Sequence, residues 1–285
     1  MKQCQWKHHN YDKNRDTTMR SNKKVFSTCL AIVGLIIAIA QARALDLIEI
    51  EVQGAVRKAE PQISQNVNEG LLPVVFAFHG HGGTMKTAEA RFHIETYWPE
   101  AIVVYPQGLK TPTKLVDPDG KKSGWQSTVN DQAGRDIEFF DSLLNYLEKN
   151  YAVNRRRIYS TGFSNGGVFT YVLWAARGNI LAAVAPIAGI LPSRGDREKL
   201  GKKPVFHVAG RRDPIVNIIW QNEMINYVKD VNACSKEAIK IDDFVTEYAS
   251  SDGYPVMTYI SNSGHEVPEA AVPLIVSFFK AHELK

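Results

Sequence analysis

Five nearly continuous apolar runs set the strongest limit on how this chain folds: PVVFAFHG (73–80), AIVVYPQG (101–108), RRIYSTGFS (156–164), AAVAPIAG, and KPVFHVAG (203–210). A strand with one wet face alternates apolar and polar residues, whereas an unbroken apolar run suits a parallel strand covered on both faces. Segments of helical period lie between the runs. In RDIEFFDSLLNYLEKNY, Ile137, Phe140, Leu144 and Leu147 recur at steps of three and four, and IWQNEMINYVKDV and PEAAVPLIVSFFKAHEL carry similar stripes. Ahead of them LIEIEV does alternate, with Ile48, Ile50 and Val52 set against Glu49 and Glu51, as a half-exposed antiparallel strand would. Strands followed by repeated β–α units predict an α/β fold, a mostly parallel, doubly wound sheet with helices on both faces and right-handed crossovers. No repeat or linker interrupts residues 45–285, so a single domain is expected there.

Residues 1–44 have a different character. A basic, polar start runs into VFSTCLAIVGLIIAIA (25–40) and then QARA, the n-region, apolar h-region and Ala-x-Ala pattern (Ala42, Ala44) of a signal peptide cleaved after Ala44. Sixteen apolar-dominated residues are short for a membrane span, which takes about 20; an uncleaved anchor is the alternative. The n-region is long, and Met19 is a second candidate start, with Arg20, Lys23 and Lys24 just ahead of the apolar run. The expected destination is outside the cell or the periplasm, with no stable membrane association after cleavage.

Charge and cysteine content follow from that division. Eight of the 34 Lys/Arg and two of the 30 Asp/Glu lie in residues 1–44, which leaves 26 basic and 28 acidic residues and a net charge of −2 for the rest. Nothing there favours nucleic acid or an anionic membrane. Cys4 and Cys29 fall in the leader, so Cys234 is alone and an internal disulfide is ruled out. A hydrophobic core has to hold the domain together, and a chain of this length can build one.

Chemistry concentrates where the predicted strands end. TGFSNGG (161–167) sets Ser164 between Gly162 and Gly166, after a strand and before a helix-like stretch, the Gly-x-Ser-x-Gly pattern of a nucleophile on a tight turn. A serine hydroxyl needs a base, and the base needs an orienting acid. VAGRRDPIV puts Asp213 beyond another buried strand, as the acid or as a turn residue before proline; Asp242 and Asp243, in a polar stretch, rank behind it. YISNSGHEVPEA places His265 between a last strand-like run and the terminal helix, whose first turn suits Pro268. Ser164, Asp213 and His265 thus follow the Ser…Asp…His order of α/β-hydrolases.

FHGHGG (78–83) ends the first buried strand and can supply backbone donors for an oxyanion. One donor is expected from Asn165, directly after the serine, and the other from His81, with Gly82 as the alternative. His79 and His81 lack a further ligand at zinc-hydrolase spacing, so no metal is expected. His207, inside an apolar strand, is expected to be a satisfied core group. The long segment LKTPTKLVDPDGKKSGWQSTVN (109–130) follows a strand at the ligand-binding end of the sheet. Within it, Trp125 is either a substrate platform for a ring or sugar or an anchor of the loop.

With these residues in view, the chain resembles secreted esterases of the polyhydroxybutyrate depolymerase and feruloyl esterase type. The matching stretches are FHGHGG, VVYPQGL, GWQ, RRIYSTGFSNGG, AAVAPIAG, GRRDPIV and SGHEVPE, from about residue 70 to the end. The resemblance implies the α/β-hydrolase fold, a triad of Ser164, Asp213 and His265, and no metal or organic cofactor. The implied substrate is a small-molecule or polysaccharide-linked ester. The chain departs from larger members in carrying no polymer-binding module or linker and none of their disulfide cysteines. A serine peptidase of the same fold and a catalytically silent homologue that binds glycans or partners are the alternatives. Oligomeric state is not legible.

Overall fold

The computed structural model describes residues 42–44, 46–64, 70–114 and 116–285. The leader expected at residues 1–44 therefore lies outside the described residues except at its end, where Ala42–Ala44 (β1) pairs antiparallel with Ala55–Ser64 (β3). Ile48–Val52 (β2) also pairs with β3, across a two-residue turn at Gln53 and Gly54, and is the alternating strand expected from LIEIEV.

The apolar runs form the middle of the sheet as parallel neighbours. In spatial order they are Ile102–Pro106 (β5), Leu72–Phe78 (β4), Val153–Phe163 (β8), Ala183–Ile187 (β9), Val205–Gly210 (β10) and Val256–Ser261 (β13). β3 closes one side antiparallel to β5, and Val245–Tyr248 (β12) with Ile239–Lys240 (β11) closes the other antiparallel to β13. Leu109–Lys110 (β6) and Ser123–Gly124 (β7) make a separate antiparallel ribbon. The long segment at 109–130 is thus a small hairpin, with a further bridge between Thr113 and Asp117, rather than an open loop.

The reason for two-sided apolar strands is visible in β4, whose successive side chains enter different cores. Val74, Phe76 and Phe78 join Val104, Phe140 and Trp174 on one face, while Val75 and Ala77 join Tyr105, Phe92 and Phe279 on the other. Arg135–Asn150 (α3), Asn165–Arg177 (α4) and Ile218–Val231 (α6) cover the first face. Met85–Phe92 (α1), Ile94–Tyr97 (α2) and Ala271–Lys280 (α7) cover the second. Arg194–Arg197 (α5) is a single turn after β9. Each fully buried Phe or Leu in these layers adds about 1.5–3 kcal/mol of transfer free energy, which is how a domain without a disulfide holds together.

Two expectations change at the edges. α7 begins at Ala271, so Pro268 lies in the turn before it and accepts the Ala271 N–H through its carbonyl (2.9 Å). The proline in the first helical turn is Pro273, where the missing N–H would have had no helical acceptor. β3 was not visible in the sequence, because Pro61 and three charged side chains break its pattern. One of those charges, Arg57, is buried and binds the Asp136 carboxylate at 2.9 Å beneath the sheet edge.

Strand order reverses around β4: the chain passes from β4 to β5 on one side, then returns to β8 on the other. The crevice beyond the carboxyl ends of strands at such a switch is where open α/β sheets bind ligands. The turns after β4 and β8 carry His81 and Ser164.

Candidate active site

Ser164 occupies a strained backbone position, φ 55° and ψ −118°, between β8 and α4. Such a conformation costs a non-glycine residue about 1–3 kcal/mol. It is held by Ser164 N–H donating to Ile187 O (2.8 Å) and Val168 N–H donating to Ser164 O (2.9 Å). The flanking glycines are required by contact. A Cβ on Gly162 would lie 2.3 Å from Gly166 O, and one on Gly166 would lie 2.3 Å from Phe78 O. The turn therefore packs backbone on backbone and lifts the serine hydroxyl out of the sheet.

β10 and β13 bring the other two residues together. They pair in register to Gly210↔Ser261, and the chains continue side by side, Arg211 N–H to Ser261 O (2.9 Å) and Arg212 N–H to Ser263 O (3.0 Å). A Cβ on Gly210 would meet Gly264 O at 2.3 Å, so the close approach of the two loops depends on that glycine. Asp213 and His265 follow directly. His265 Nδ1 lies 2.7 Å from Asp213 Oδ2, and His265 Nε2 lies 2.8 Å from Ser164 Oγ. A carboxylate beside Nδ1 assigns the proton there, leaving Nε2 as the acceptor for the serine hydroxyl.

Asp213 itself is fixed by a second set of donors. Its Oδ1 accepts the N–H groups of Ile215 and Val216, both at 2.8 Å, and its side chain is fully shielded from solvent. Asp242 and Asp243 sit elsewhere: Asp242 caps its own turn through Phe244 N–H and Val245 N–H, and Asp243 pairs with Lys240 on the surface. Phe163 packs its ring 4.7 Å from the His265 ring and limits its rotation.

The two turns also carry the two amides expected to hold an oxyanion. In the HGHGG turn, Gly82 N–H already donates to Ser123 O (2.7 Å) and Gly83 N–H to Gly80 O (2.9 Å). The His81 amide has no such acceptor among the described residues, and the Asn165 amide is the first of α4, where helical N–H groups lack partners. The His81 ring turns away to Asp117, with Nε2 2.9 Å from Oδ2. Lys122 N–H shares that carboxylate at 2.9 Å and is the main reason the Asp117 pKa falls to about 2.

His79 and His207 are core groups. His79 donates from Nδ1 to Gly80 O (2.8 Å) and accepts Gly108 N–H at Nε2 (3.0 Å); burial lowers its pKa to about 4. His207, wholly buried and likewise lowered to about 4 by burial, lies between the Tyr171 hydroxyl (2.8 Å) and Gln221 Oε1 (3.2 Å).

Trp125 is not a substrate platform. It is 0% exposed, its Nε1 donates to His79 O (2.9 Å), and its ring stacks on Phe169 and meets Phe78 edge-on. An exposed aromatic residue that does line the cleft is Trp220, 43% exposed in the first turn of α6. Its signal was present in IWQNEMINYVKDV: Ile219 and Trp220 fall off the stripe of Gln221, Met224, Ile225 and Val228 that the helix buries.

Ser164 and His265 open into a cleft of about 1140 Å³. One wall is apolar, with Phe163, Ile190, Ile215, Val216 and Trp220; the ribbon at 109–124 supplies the other with Pro112, Thr113, Val116 and Lys122.

This sheet, with the Ser164 turn after β8 and the Asp213 and His265 loops after β10 and β13, is the α/β-hydrolase fold. The dienelactone hydrolase family model matches residues 100–238. The chain is similar to feruloyl esterase C of Emericella nidulans, 27% identical over 196 residues covering 68% of this chain and 66% of that one. It is also similar to a bifunctional acetylxylan esterase/xylanase of Neocallimastix patriciarum, 27% identical over 169 residues (58% and 23%), and to feruloyl esterase D of Neurospora crassa, 31% identical over 121 residues (42% and 39%). The match thus spans 66% or less of each of these relatives. Among solved structures, an acetyl xylan esterase from Aspergillus awamori superposes with a TM-score of 0.64 at 13% identity, covering 83% of this chain and 99% of that one. The feruloyl esterase module from Clostridium thermocellum gives 0.61 at 12%, covering 85% and 88%. These structures share the fold.

Proposed function

We propose that this chain is an exported serine carboxylic-ester hydrolase acting on feruloyl, acetyl or other short acyl esters carried on plant polysaccharide, or on hydroxyalkanoate oligomers. The observation that carries the proposal is the continuous relay Asp213–His265–Ser164, at 2.7 and 2.8 Å, opening into a cleft with one apolar wall. The sequence likeness to feruloyl and acetylxylan esterases supports an ester as the substrate. Export rests on the leader pattern in residues 1–44; among the described residues, no helix is long and apolar enough to cross a membrane.

Each residue has a defined part. Ser164 Oγ attacks the ester carbonyl as its proton passes to His265 Nε2, and Asp213 holds the imidazole in the required tautomer and stabilises its cation. The negative charge on the tetrahedral oxygen is taken by the His81 and Asn165 amides, fixed in place before reaction. His265 returns the proton to the departing alcohol, leaving an acyl-Ser164. Water, deprotonated by His265, releases the acid. The wall formed by Ile215 and Trp220 receives the acyl group.

The test is hydrolysis of p-nitrophenyl acetate, p-nitrophenyl butyrate, methyl ferulate and a hydroxybutyrate trimer by the purified protein beside its Ser164→Ala form. Loss of a nucleophile in such a relay costs on the order of 10⁶-fold in kcat. Turnover of at least one ester that vanishes with Ser164 is the expected result. A folded protein inert toward all four, or an unaffected Ser164→Ala form, would sink the esterase assignment.

A further inference from the structure

The cleft carries an excess of positive charge that the triad does not use. Arg91, Lys114 and Lys122 line it, against a single carboxylate, Asp131, whose Oδ2 accepts Ser127 N–H (3.2 Å). None of these three cations meets a carboxylate among the described residues. Elsewhere on the surface such pairing is common: Lys121 reaches Asp119 at 2.7 Å, Lys199 reaches Asp196 at 2.8 Å and Arg177 reaches Asp141 at 2.6 Å. General basicity is not the cause, because the chain beyond residue 44 is net −2.

Two of the cations are placed against the reacting groups. The Arg91 guanidinium lies 5.2 Å from the Phe163 ring centroid, and that ring packs on His265, so this charge stands one aromatic layer from the base. The Lys122 stem crosses the oxyanion turn, its Cδ 3.3 Å from where a Cβ on Gly82 would be, and its backbone N–H is tied to Asp117. Lys114 stands further along the same ribbon. Cations on separate elements of a large cleft suit several carboxylates in a row better than one. The hydroxyls of Ser127 and Thr128 on the same lining suit a polyhydroxylated chain. Charge of one sign in a low-dielectric cleft focuses the field and raises the local concentration of the opposite ion.

We propose that the ester taken by this site is carried on an acidic saccharide. The acyl group lies against the Ile215–Trp220 wall, and uronate carboxylates rest on Arg91, Lys114 and Lys122. This rests on the serine-esterase assignment above and adds the chemical class of the alcohol half.

Binding tests it independently of turnover. The Ser164→Ala protein, full chain, is titrated calorimetrically with a galacturonate pentamer and with neutral xylopentaose, at low salt and at 0.5 M NaCl. Two new charge contacts of solvent-exposed strength predict that the acidic pentamer binds about 10-fold more tightly at low salt. Raising the salt, which shortens the screening length from about 30 Å at 0.01 M to a few ångströms, should erase most of that advantage. Adding Arg91→Gln and Lys122→Gln should bring the two affinities together; if that variant unfolds, Lys114→Gln, on an exposed turn, should narrow the gap on its own. Equal affinities, a preference for xylopentaose, no binding of the acidic pentamer or a salt-independent preference each overturn the proposal. Failure of the esterase assignment looks different, since the wild-type protein would then leave p-nitrophenyl acetate intact whatever the calorimetry reports.

Discussion

Asn165 grips the backbone of Trp125 with both ends of its side chain: Oδ1 accepts Trp125 N–H at 2.6 Å, and Nδ2 donates to Trp125 O at 3.0 Å. The residue after the serine therefore ties the ribbon segment GWQ to the start of α4. Trp125 in turn donates to His79 O at the root of the HGHGG turn. The two turns that face Ser164 are held to each other through one buried tryptophan.

Removing that grip leaves two buried backbone groups unpaired, at about 1–3 kcal/mol each. Asn165→Ala is expected to lower stability by about 2–4 kcal/mol in urea titration and to depress kcat on p-nitrophenyl butyrate more than it alters KM, because the amide at 165 shifts while the acyl wall does not. Asn165→Asp keeps the acceptor and loses the donor, and should fall between. A kcat equal to wild type in Asn165→Ala would contradict this coupling.

Trp125 and Trp220 should behave oppositely. Trp125→Ala empties a fully buried site and should cost about 3–5 kcal/mol, seen as a large drop in urea midpoint. Trp220→Ala changes an exposed side chain and should leave the midpoint within about 0.5 kcal/mol of stability, while raising KM for methyl ferulate more than for p-nitrophenyl acetate. The reverse pattern would place the acyl wall elsewhere.

Asp136 holds Arg57 at 2.9 Å and also accepts Gln126 N–H at 2.8 Å, while Arg57 lies over the Phe139 ring. Burial pulls the Arg57 pKa down, against the pull of Asp136, so the pair survives only as a pair. Asp136→Ala strands a buried cation and should cost about 3–5 kcal/mol, whereas Arg57→Met with Asp136→Leu should cost much less. Urea unfolding of the three proteins checks it.

Acid should weaken the fold before the carboxylates titrate. His79 and His207 are held at a pKa of about 4 by burial, while in the unfolded chain a histidine titrates near 6.5. Between pH 6.5 and 4 the unfolded chain takes up protons that the folded chain refuses, so stability declines as pH falls. The slope is about 1.4 kcal/mol per pH unit for each histidine, and the contribution is level above 6.5. Unfolding free energies measured from pH 8 to 4.5 should show the bend, and His207→Asn should remove about half the slope. A flat profile would mean the two rings are not buried neutral.

Much of this was legible in the chain. Unbroken apolar runs mark the parallel strands because two-sided burial leaves no polar position, and the Ser…Asp…His order placed three residues at strand ends that the sheet brings into contact. What escaped depended on distant partners. β3 reads as broken by Pro61 and its charges, yet the Arg57 charge is paired with Asp136, 79 residues on. Trp125 stood in a segment rich in turn residues, so nothing local distinguished an anchor from a platform; its partners, His79 and Asn165, come from two other turns. The ribbon at 109–124 has no strand pattern because its two strands are two residues each.

The most direct test of the central claim is covalent capture of the nucleophile. The protein is treated with a fluorophosphonate, an electrophile that phosphorylates an activated serine with loss of fluoride, and the intact mass and peptide map are read. One adduct per chain on the peptide containing Ser164, absent from Ser164→Ala and strongly slowed in His265→Ala, is the predicted result. Labelling at another residue, or equal labelling of the His265→Ala protein, would contradict the account.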